Sequence, residues 1–317
     1  MLHLRVIAPV DLRDDVLAVL QRQVGVTHLV VHQGAALDPP GDEISADIAR
    51  ECANDVVDDL KALDLHHKGA ITLDVVDTVV STAAYRAEKQ ADGDPGDAIV
   101  WEELAARTRE ESTLNITFLL FLCLACMIAA VGVVTDSPVT VVGAMVVGPE
   151  FGPLAALAVA LVRRRLDLAR RASLALLVGF PVAMAVTAAF VLGGEALGWI
   201  ELGSTRQLTD VDFIFRVGPL SFVVALLAGA AGMLSLVSAK SAALVGVFIS
   251  VTTVPAAGFA VVAASVGEWD VAAESAAQLA INLVGITVAG VLVLATRRRH
   301  ETRRHGTGRL WAGPKTD

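Results

Sequence analysis

The sequence predicts an α-helical membrane domain with six spans, preceded by a small α+β domain on the cytoplasmic side. Three observations support this prediction. The 317-residue chain is 55% hydrophobic with a mean hydropathy of +0.63, which is too apolar for an ordinary soluble protein. Acidic residues are concentrated before residue 114, and the long apolar runs follow it. Basic residues cluster after every second apolar run. The predicted domains are residues 1–80, a linker with an amphipathic helix at 81–113, six membrane helices at 114–296 and a basic tail at 297–317.

The first domain shows strand and helix patterns in the order βαββαβ. LHLRVIA, VTHLVVHQ, EISADIA and AITLDVV alternate as strands do, whereas DLRDDVLAVLQRQ and ECANDVVDDLKAL have helical spacing. This order predicts a ferredoxin-like fold, in which both helices cover one face of the sheet. Strict alternation then places six polar residues on the open face: His3, Arg5, His28, His32, Asp47 and Asp74.

Histidines and carboxylates on one surface are suited to a small ligand, so this face is a weak candidate for a cytoplasmic ligand site. Their spacing matches no metal signature, and no metal site is predicted. A solvated or self-associating sheet face is the favoured alternative. His66 and His67 are assigned to a solvent-exposed turn.

Six runs have the length of about 20 apolar residues that a membrane span requires. They are Leu114–Val134, Pro138–Val162, Ala172–Leu192, Pro219–Ser238, Ser241–Ser265 and Ala276–Thr296. The positive-inside rule places the basic segments that follow the even-numbered spans, and therefore both termini, in the cytoplasm. We expect a multi-pass protein of the inner (plasma) membrane. The arginine runs are interpreted as topology signals and not as a nucleic-acid site.

The two halves of the membrane domain align weakly when one is shifted by 103 positions. This shift places Gly143 on Gly246 and Glu150 on Thr253, and it brings Pro153 within one position of Pro255. Each half contains three spans, so the second half enters the membrane in the opposite orientation. The prediction is a 3+3 inverted repeat, an arrangement typical of transporters.

The second and fifth spans are predicted to break near their centres, because proline removes a backbone donor and clashes with the preceding turn. Backbone groups freed at that depth must be buried in protein or line a polar cavity. A carboxylate at the bilayer centre costs about 3 kcal/mol on insertion scales, so Glu150 is a candidate for function. The candidate substrate or ion site comprises Gly148, Pro149, Glu150, Gly152, Pro153, Thr252, Thr253, Pro255 and Asn282.

Two alternatives remain open for these polar residues. Glu150 is suited either to binding an ion or to capping its own half-helix within an inert bundle. Asn282, with Gln278 one turn before it, is suited either to lining a cavity or to bonding between helices.

The segments DSPVTVVGAMVVGPEFGPLAAL, AGAAGMLSLVSAKSAALVGVFISVTTVPAAG and AINLVGI resemble the prokaryotic family called domain of unknown function 389. The resemblance covers most of residues 114–296. It implies a membrane protein and supplies neither an activity nor a substrate. Glu150 and the single Pro255 depart from the pattern expected in many members of this family.

No nucleotide loop, zinc-protease motif or catalytic triad is evident, so we expect neither an enzyme nor a cofactor. The leading hypothesis is a transporter or ion pathway for an unidentified small ion or solute, regulated by the cytoplasmic domain. The alternative is a membrane-anchored sensor or assembly protein. The expected partners are the lipid bilayer and further copies of the chain. The open sheet face and the small residues of the fourth span favour a homo-oligomer. These small residues, Ala225, Ala228, Gly229 and Gly232, are suited to close helix packing either within one chain or between chains.

Overall fold

The computed structural model describes residues 1–94, 96, 98–208, 219–237 and 253–308. The chain forms two compact units, Met1–Leu104 and Ala105–Asp317. The structure is mostly helical, and the first unit carries a small antiparallel sheet.

The first unit follows the predicted order of strands and helices. Its strands are β1 Leu2–Ala8, β2 Val26–Leu37, β3 Pro40–Ile48 and β4 Ala70–Val75, arranged in the sheet as β2-β3-β1-β4 with antiparallel pairing throughout. Its helices are α1 Arg13–Arg22, α2 Ala53–Ala62, α3 Leu65–Lys68 and α4 Thr82–Gln90, with 3-10 turns at Val10–Leu12 and Arg50–Cys52. Alternate residues of β1 are buried in the core with the apolar sides of α1 and α2, which gives this unit a core of its own.

Part of the predicted linker is helical. Ser81 begins α4, and its side-chain oxygen accepts hydrogen bonds from the backbone N–H groups of Ala83 and Ala84. Helix α4 then packs against β2. Capping by serine satisfies donors that would otherwise lack partners, which explains why this charged, polar segment forms a helix.

Cys52 packs against Gly25, and its thiol donates a hydrogen bond to the Ala49 carbonyl over 3.2 Å. A Cβ atom on Gly25 would come within 2.5 Å of its sulfur, so the packing is close. Burial, with a smaller contribution from the neighbouring Glu51 charge, raises the pKa of this thiol to about 11. The thiolate is the reactive form, so the fold makes Cys52 inert at neutral pH.

We therefore expect native Cys52 to react with iodoacetamide roughly 100-fold more slowly than an ordinary exposed thiol. The measurement is the alkylation rate at neutral pH in a Cys123→Ala, Cys126→Ala background, which leaves Cys52 as the single thiol. The denatured protein is the control and should react at the ordinary rate. Equal native and denatured rates would contradict the buried placement of this thiol.

Among its described residues, the second unit contains four helices that are long and apolar enough to cross a membrane. They are α6 Ile116–Val134, α9 Leu166–Ala196, α10 Pro219–Val237 and α12 Trp269–Gly308, the last within Trp269–Arg297. Helices α7 Pro138–Val147 and α8 Phe151–Arg163 are bent by 53° at the break between them, and the pair is either one broken span or a re-entrant loop. The remaining helices are α5 Trp101–Glu111, which contains the division between the units, and the short apolar α11 Val254–Val266. The predicted fifth span is described only from Thr253 onward. The described residues support four spans, or five if the bent pair crosses as one, and not the six that the sequence predicts.

Helix positions recur along the second unit at one constant spacing. Helices α8 and α11 are each 13 residues long, and their first residues, Phe151 and Val254, are 103 positions apart (254 − 151). The following helices begin at Leu166 and Trp269, which again gives 103 (269 − 166). The residue that follows Arg163 and the one that follows Val266 both adopt a left-handed backbone. This spacing equals the shift that aligned the two halves of the sequence.

Candidate functional site

The break in the second span lies where the proline-containing segment predicts it. Helix α7 ends at Val147, Gly148 takes an extended backbone, and α8 begins at Phe151 with Glu150 as the preceding residue. Pro153 lies in the first turn of α8, where a missing N–H group leaves no helical hydrogen bond unmade. Pro255 has the same role in the first turn of α11. The prediction that these prolines start new helices is confirmed.

The centre of the site is a hydrogen bond between the two residues that precede α8 and α11. The Thr253 hydroxyl donates to Glu150 Oε1 over 2.5 Å, and both side chains are fully buried. Glu150 makes no side-chain hydrogen bond of the capping type to its own helix. The proposed capping role is therefore not what the structure shows, since the carboxylate reaches across to the start of the other helix.

The second carboxylate oxygen, Glu150 Oε2, is buried without a hydrogen-bond partner in the part of the chain that the structure describes. It lies against Gly148, because a Cβ atom added there would come within 2.3 Å of Oε2. Any larger residue at position 148 would displace the carboxylate. The glycine thus gives the carboxylate room beside the break.

Helices α8 and α11 lead away from this hydrogen bond in opposite directions. A two-residue turn joins α11 to α12, so these two helices are antiparallel neighbours. A helix rises 1.5 Å per residue, so the start of α11 and Asn282 of α12 each lie about 20 Å from that turn, measured along their own helix axes. Farther along α12, Gly290 faces Ala158 of α8, and a Cβ atom on this glycine would come within 2.9 Å of the alanine Cβ. Helix α8 therefore runs in the same direction as α12, and α11 runs against it.

Asn282 consequently lies at about the same height as Glu150 and Thr253. It is fully buried, and its Oδ1 accepts a hydrogen bond from Gln278 Nε2 over 2.8 Å within α12. The amide oxygen of Gln278, Oε1, is buried without a partner among the described residues. Thr252, which is also one of the predicted site residues, lies outside the described part of the chain.

A cavity of about 330 Å³ adjoins the break. It is lined by the end of α5, the start of α6 and the residues of the break: Glu110, Glu111, Thr113, Asn115, Thr117, Phe118, Phe121, Gly148, Pro149, Phe151 and Gly152. Gly152 allows close approach, since its added Cβ would come within 2.9 Å of the Glu111 carbonyl oxygen. Glu110 and Glu111 are not among the predicted site residues, because nothing in their spacing along the sequence relates them to the break.

In the first unit, the structure brings together three of the six residues predicted on the open sheet face. Asp47 accepts from His3 Nδ1 over 2.9 Å with one oxygen and from His28 Nδ1 over 2.7 Å with the other, when these nitrogens carry protons. His28 Nε2 also contacts Ser81 Oγ at 2.8 Å. Burial opposes the charged form of Asp47, but the hydrogen bonds from His3 and His28 prevail and hold its pKa below the ordinary value.

Strict alternation fails in β2, although His28 still reaches the predicted cluster. The pairing with β3 shifts between Thr27 and Val30, and His28 adopts a left-handed backbone with φ of 51°. A bulge of this kind inserts an extra residue and redirects the side chains near it. The sequence carries no local glycine signal that would have revealed it.

The other three predicted residues lie along the same sheet. Asp74 pairs in register with His3, Arg5 pairs with Ser45 and Thr72, and His32 pairs with Glu43. All three are exposed. A separate exposed group was not predicted as a cluster: ligand atoms of Asp64, His66 and His67 lie within 4.8 Å of one another.

Helices of this length and apolar composition, together with a bent helix pair around a buried carboxylate, indicate a membrane protein. The family model described as "Domain of unknown function (DUF389)" matches residues 145–288, so this part of the chain is similar to that family. The resemblance seen in the sequence is thereby confirmed. No curated protein and no solved structure matches the chain.

Proposed function

We propose that the protein carries a small ion or solute across the membrane through a site at the α7–α8 break and the start of α11. One observation carries the proposal. A fully buried carboxylate, Glu150, meets Thr253 where two oppositely directed helices begin, and one of its oxygens has no partner among the described residues. Ionisable groups within membrane helices are costly and usually serve function, and helix N-termini at such breaks commonly face the transported species.

The architecture that accompanies this proposal is six spans arranged as a 3+3 inverted repeat. It is supported by the constant spacing of 103 residues between corresponding helices and by the hydrogen bond between Glu150 and Thr253, which are themselves 103 residues apart. Residues close to the axis of a two-fold repeat contact their own counterparts, and this pair meets that expectation. The broken fifth span would then be completed by residues before Thr253.

The proposal places the protein in the inner (plasma) membrane with both termini in the cytoplasm, following the distribution of basic residues. The first unit is proposed to be a ferredoxin-like regulatory domain, for which the sheet order β2-β3-β1-β4 is the supporting observation. The chain acts as a homo-oligomeric carrier and not as an enzyme, and it uses no cofactor. Copies of the chain would contact one another through the exposed sheet face or through small residues of the membrane helices.

The experiment that tests transport compares the wild type with Glu150→Gln in proteoliposomes, under an imposed pH gradient and with a panel of ions and small anions. We expect flux to fall to the level of empty liposomes in the variant, because the amide cannot take up or release charge. Glu195→Gln is the matched control. It makes the same chemical change at an exposed residue at the end of α9 and should leave flux unchanged.

Flux that is equal in Glu150→Gln and wild type would contradict the assignment of the site. Absence of flux in all three well-folded proteins would contradict transport for every substrate in the panel.

A second candidate function is a membrane-anchored sensor or assembly protein. The observation that favours it is the cluster of His3, His28 and Asp47, which is held together by hydrogen bonds and includes Ser81 from outside the sheet. In this case the membrane helices serve as an anchor, and Glu150→Gln should have no effect on the activity of the protein.

A further inference from the structure

Two buried polar atoms in the described part of the second unit have no hydrogen-bond partner, Glu150 Oε2 and Gln278 Oε1. Buried polar atoms are nearly always paired, so each such exception calls for an explanation. The Glu150 oxygen is the more informative of the two, because a carboxylate carries charge and can also bind a proton. Its surroundings restrict what it can bind.

A metal cation requires several oxygen ligands around it, typically six or more for the common divalent ions. Among the described residues, the hydroxyl that reaches the Glu150 carboxylate is that of Thr253, and its hydrogen is directed at Oε1. Oε2 lies against Gly148, and Glu150 is not among the residues that line the adjoining cavity. The described residues that could jointly hold a metal ion, Asp64, His66 and His67, do not include Glu150, so nothing in this part of the chain points to a metal ion here.

An anion fits no better while the carboxylate is ionised. The partial positive charges at the starts of α8 and α11 face Glu150, which lies just before one helix and is hydrogen-bonded to the residue just before the other. An anionic ligand would have to displace this carboxylate from two favourable helix ends. A proton, in contrast, needs one acceptor atom and almost no volume.

Among the residues that the structure describes, no ion pair or side-chain hydrogen bond joins Glu150 to a second titratable group. From α6, the buried thiol of Cys126 is close enough to interact electrostatically with Glu150. Helices α7 and α11 contain no titratable side chain. The titratable residues of α9 and α12 are near the helix ends, such as Asp167 and Glu274, and the end of α5 contributes Glu110 and Glu111 at the cavity.

We propose that the ion taken up at this site is the proton, which Glu150 binds on Oε2. Protonation converts the carboxylate to a neutral carboxyl group, while the Thr253 hydroxyl continues to donate to Oε1. The neutral form removes the charge from the buried position and gains one O–H donor. Gln278 Oε1, at nearly the same height along α12, is an unpaired acceptor for a water or hydroxyl in this region. The role of the bound proton in transport rests on the proposed function, whereas its binding does not.

The test is an infrared titration of the full-length protein in liposomes, from about pH 4 to about pH 10, a range that spans ordinary carboxyl to lysine pKa values. A protonated carboxyl group has a C=O stretch that is separate from the carboxylate bands. We expect such a band in the wild type and in Glu195→Gln, and its loss in Glu150→Gln. Thr253→Val should retain the band at a shifted frequency, because Oε1 loses its hydrogen bond. This variant keeps the test valid if Glu150→Gln does not fold.

Proton flux in the same liposomes, followed with an entrapped pH-sensitive dye, separates the two proposals. A Glu150 band without flux supports proton binding and contradicts transport. Solute flux without a Glu150 band at any pH, and without dependence on the pH gradient, overturns the proton assignment and leaves transport standing. Absence of both band and flux in folded protein overturns both proposals.

Discussion

Thr253→Glu is expected to prevent accumulation of folded protein, because it places a second carboxyl group against Glu150 in a fully buried position. Two carboxylates that share one site cannot both be ionised, and an uncompensated buried charge typically costs about 3–5 kcal/mol. That is a large fraction of the stability of a typical domain. The measurement is the yield of monodisperse protein on size-exclusion chromatography after extraction in mild detergent.

The informative variant is the exchange, Glu150→Thr combined with Thr253→Glu. On the proposed inverted repeat the two positions are equivalent, so the exchange restores one carboxyl group and one hydroxyl across the same contact. We expect it to recover most of the yield that Thr253→Glu loses. Thr296→Glu is the control, since it makes the same substitution at an exposed site on α12. An exchange variant that is as poor as Thr253→Glu would contradict the equivalence of the two positions.

Gly229→Val is expected to separate α10 from α12. An added Cβ atom at position 229 would come within 2.7 Å of both the Cα and the carbonyl oxygen of Ile286. These are backbone atoms, so a change of side-chain rotamer cannot relieve the overlap, and valine adds two further methyl groups. We expect the free energy of unfolding to fall by about 3 kcal/mol or more, which is the upper end of the range for overpacked cores.

The matched control for this substitution is Gly143→Ala. Gly143 lies within α7, and an added Cβ atom there meets nothing within 4 Å. Alanine is a better helix former than glycine by about 1 kcal/mol, so this variant should be as stable as the wild type or more so. Both are compared by the midpoint of thermal unfolding in detergent. A Gly229→Val midpoint equal to that of wild type would contradict the close packing of these two helices.

The main features of the candidate site could be predicted from the sequence because they depend on the backbone chemistry of proline and on a constant spacing between corresponding residues of the two halves. Proline at positions 149, 153 and 255 fixes where the helices start, whatever packs around them. The shift of 103 residues then aligns Glu150 with Thr253 before any contact is known. In an inverted repeat, aligned residues close to the symmetry axis are expected to meet.

Features that depend on side-chain packing could not be predicted. Whether Glu150 caps its own helix or reaches Thr253 depends on a side-chain torsion and on the distance to another helix. The same holds for Gly229, whose small-residue spacing suited contacts within the chain and between chains equally, and which packs against α12 of its own chain. The second span also illustrates this limit, because apolar composition gives the length of a run without the 53° angle at its break.

In the first unit the hydrophobic pattern was sufficient for the order of elements, since buried and exposed residues alternate cleanly in β1 and β3. It was insufficient at His28, where the bulge in β2 breaks the alternation, and at α4, where a single capping serine outweighs a polar composition. Both exceptions arise from local hydrogen bonding, which a pattern of hydrophobicity does not register.

The hydrogen bond between Glu150 and Thr253 also has a consequence for the history of the chain. If the two halves arose by duplication of a gene for one three-helix subunit, the ancestor was a dimer of antiparallel subunits. In such a dimer each residue on the axis faced an identical copy of itself. Two facing glutamates would repel, and two threonines would leave no charge. A pairing of one acid with one hydroxyl became accessible only after duplication, when the two copies of the position could mutate independently.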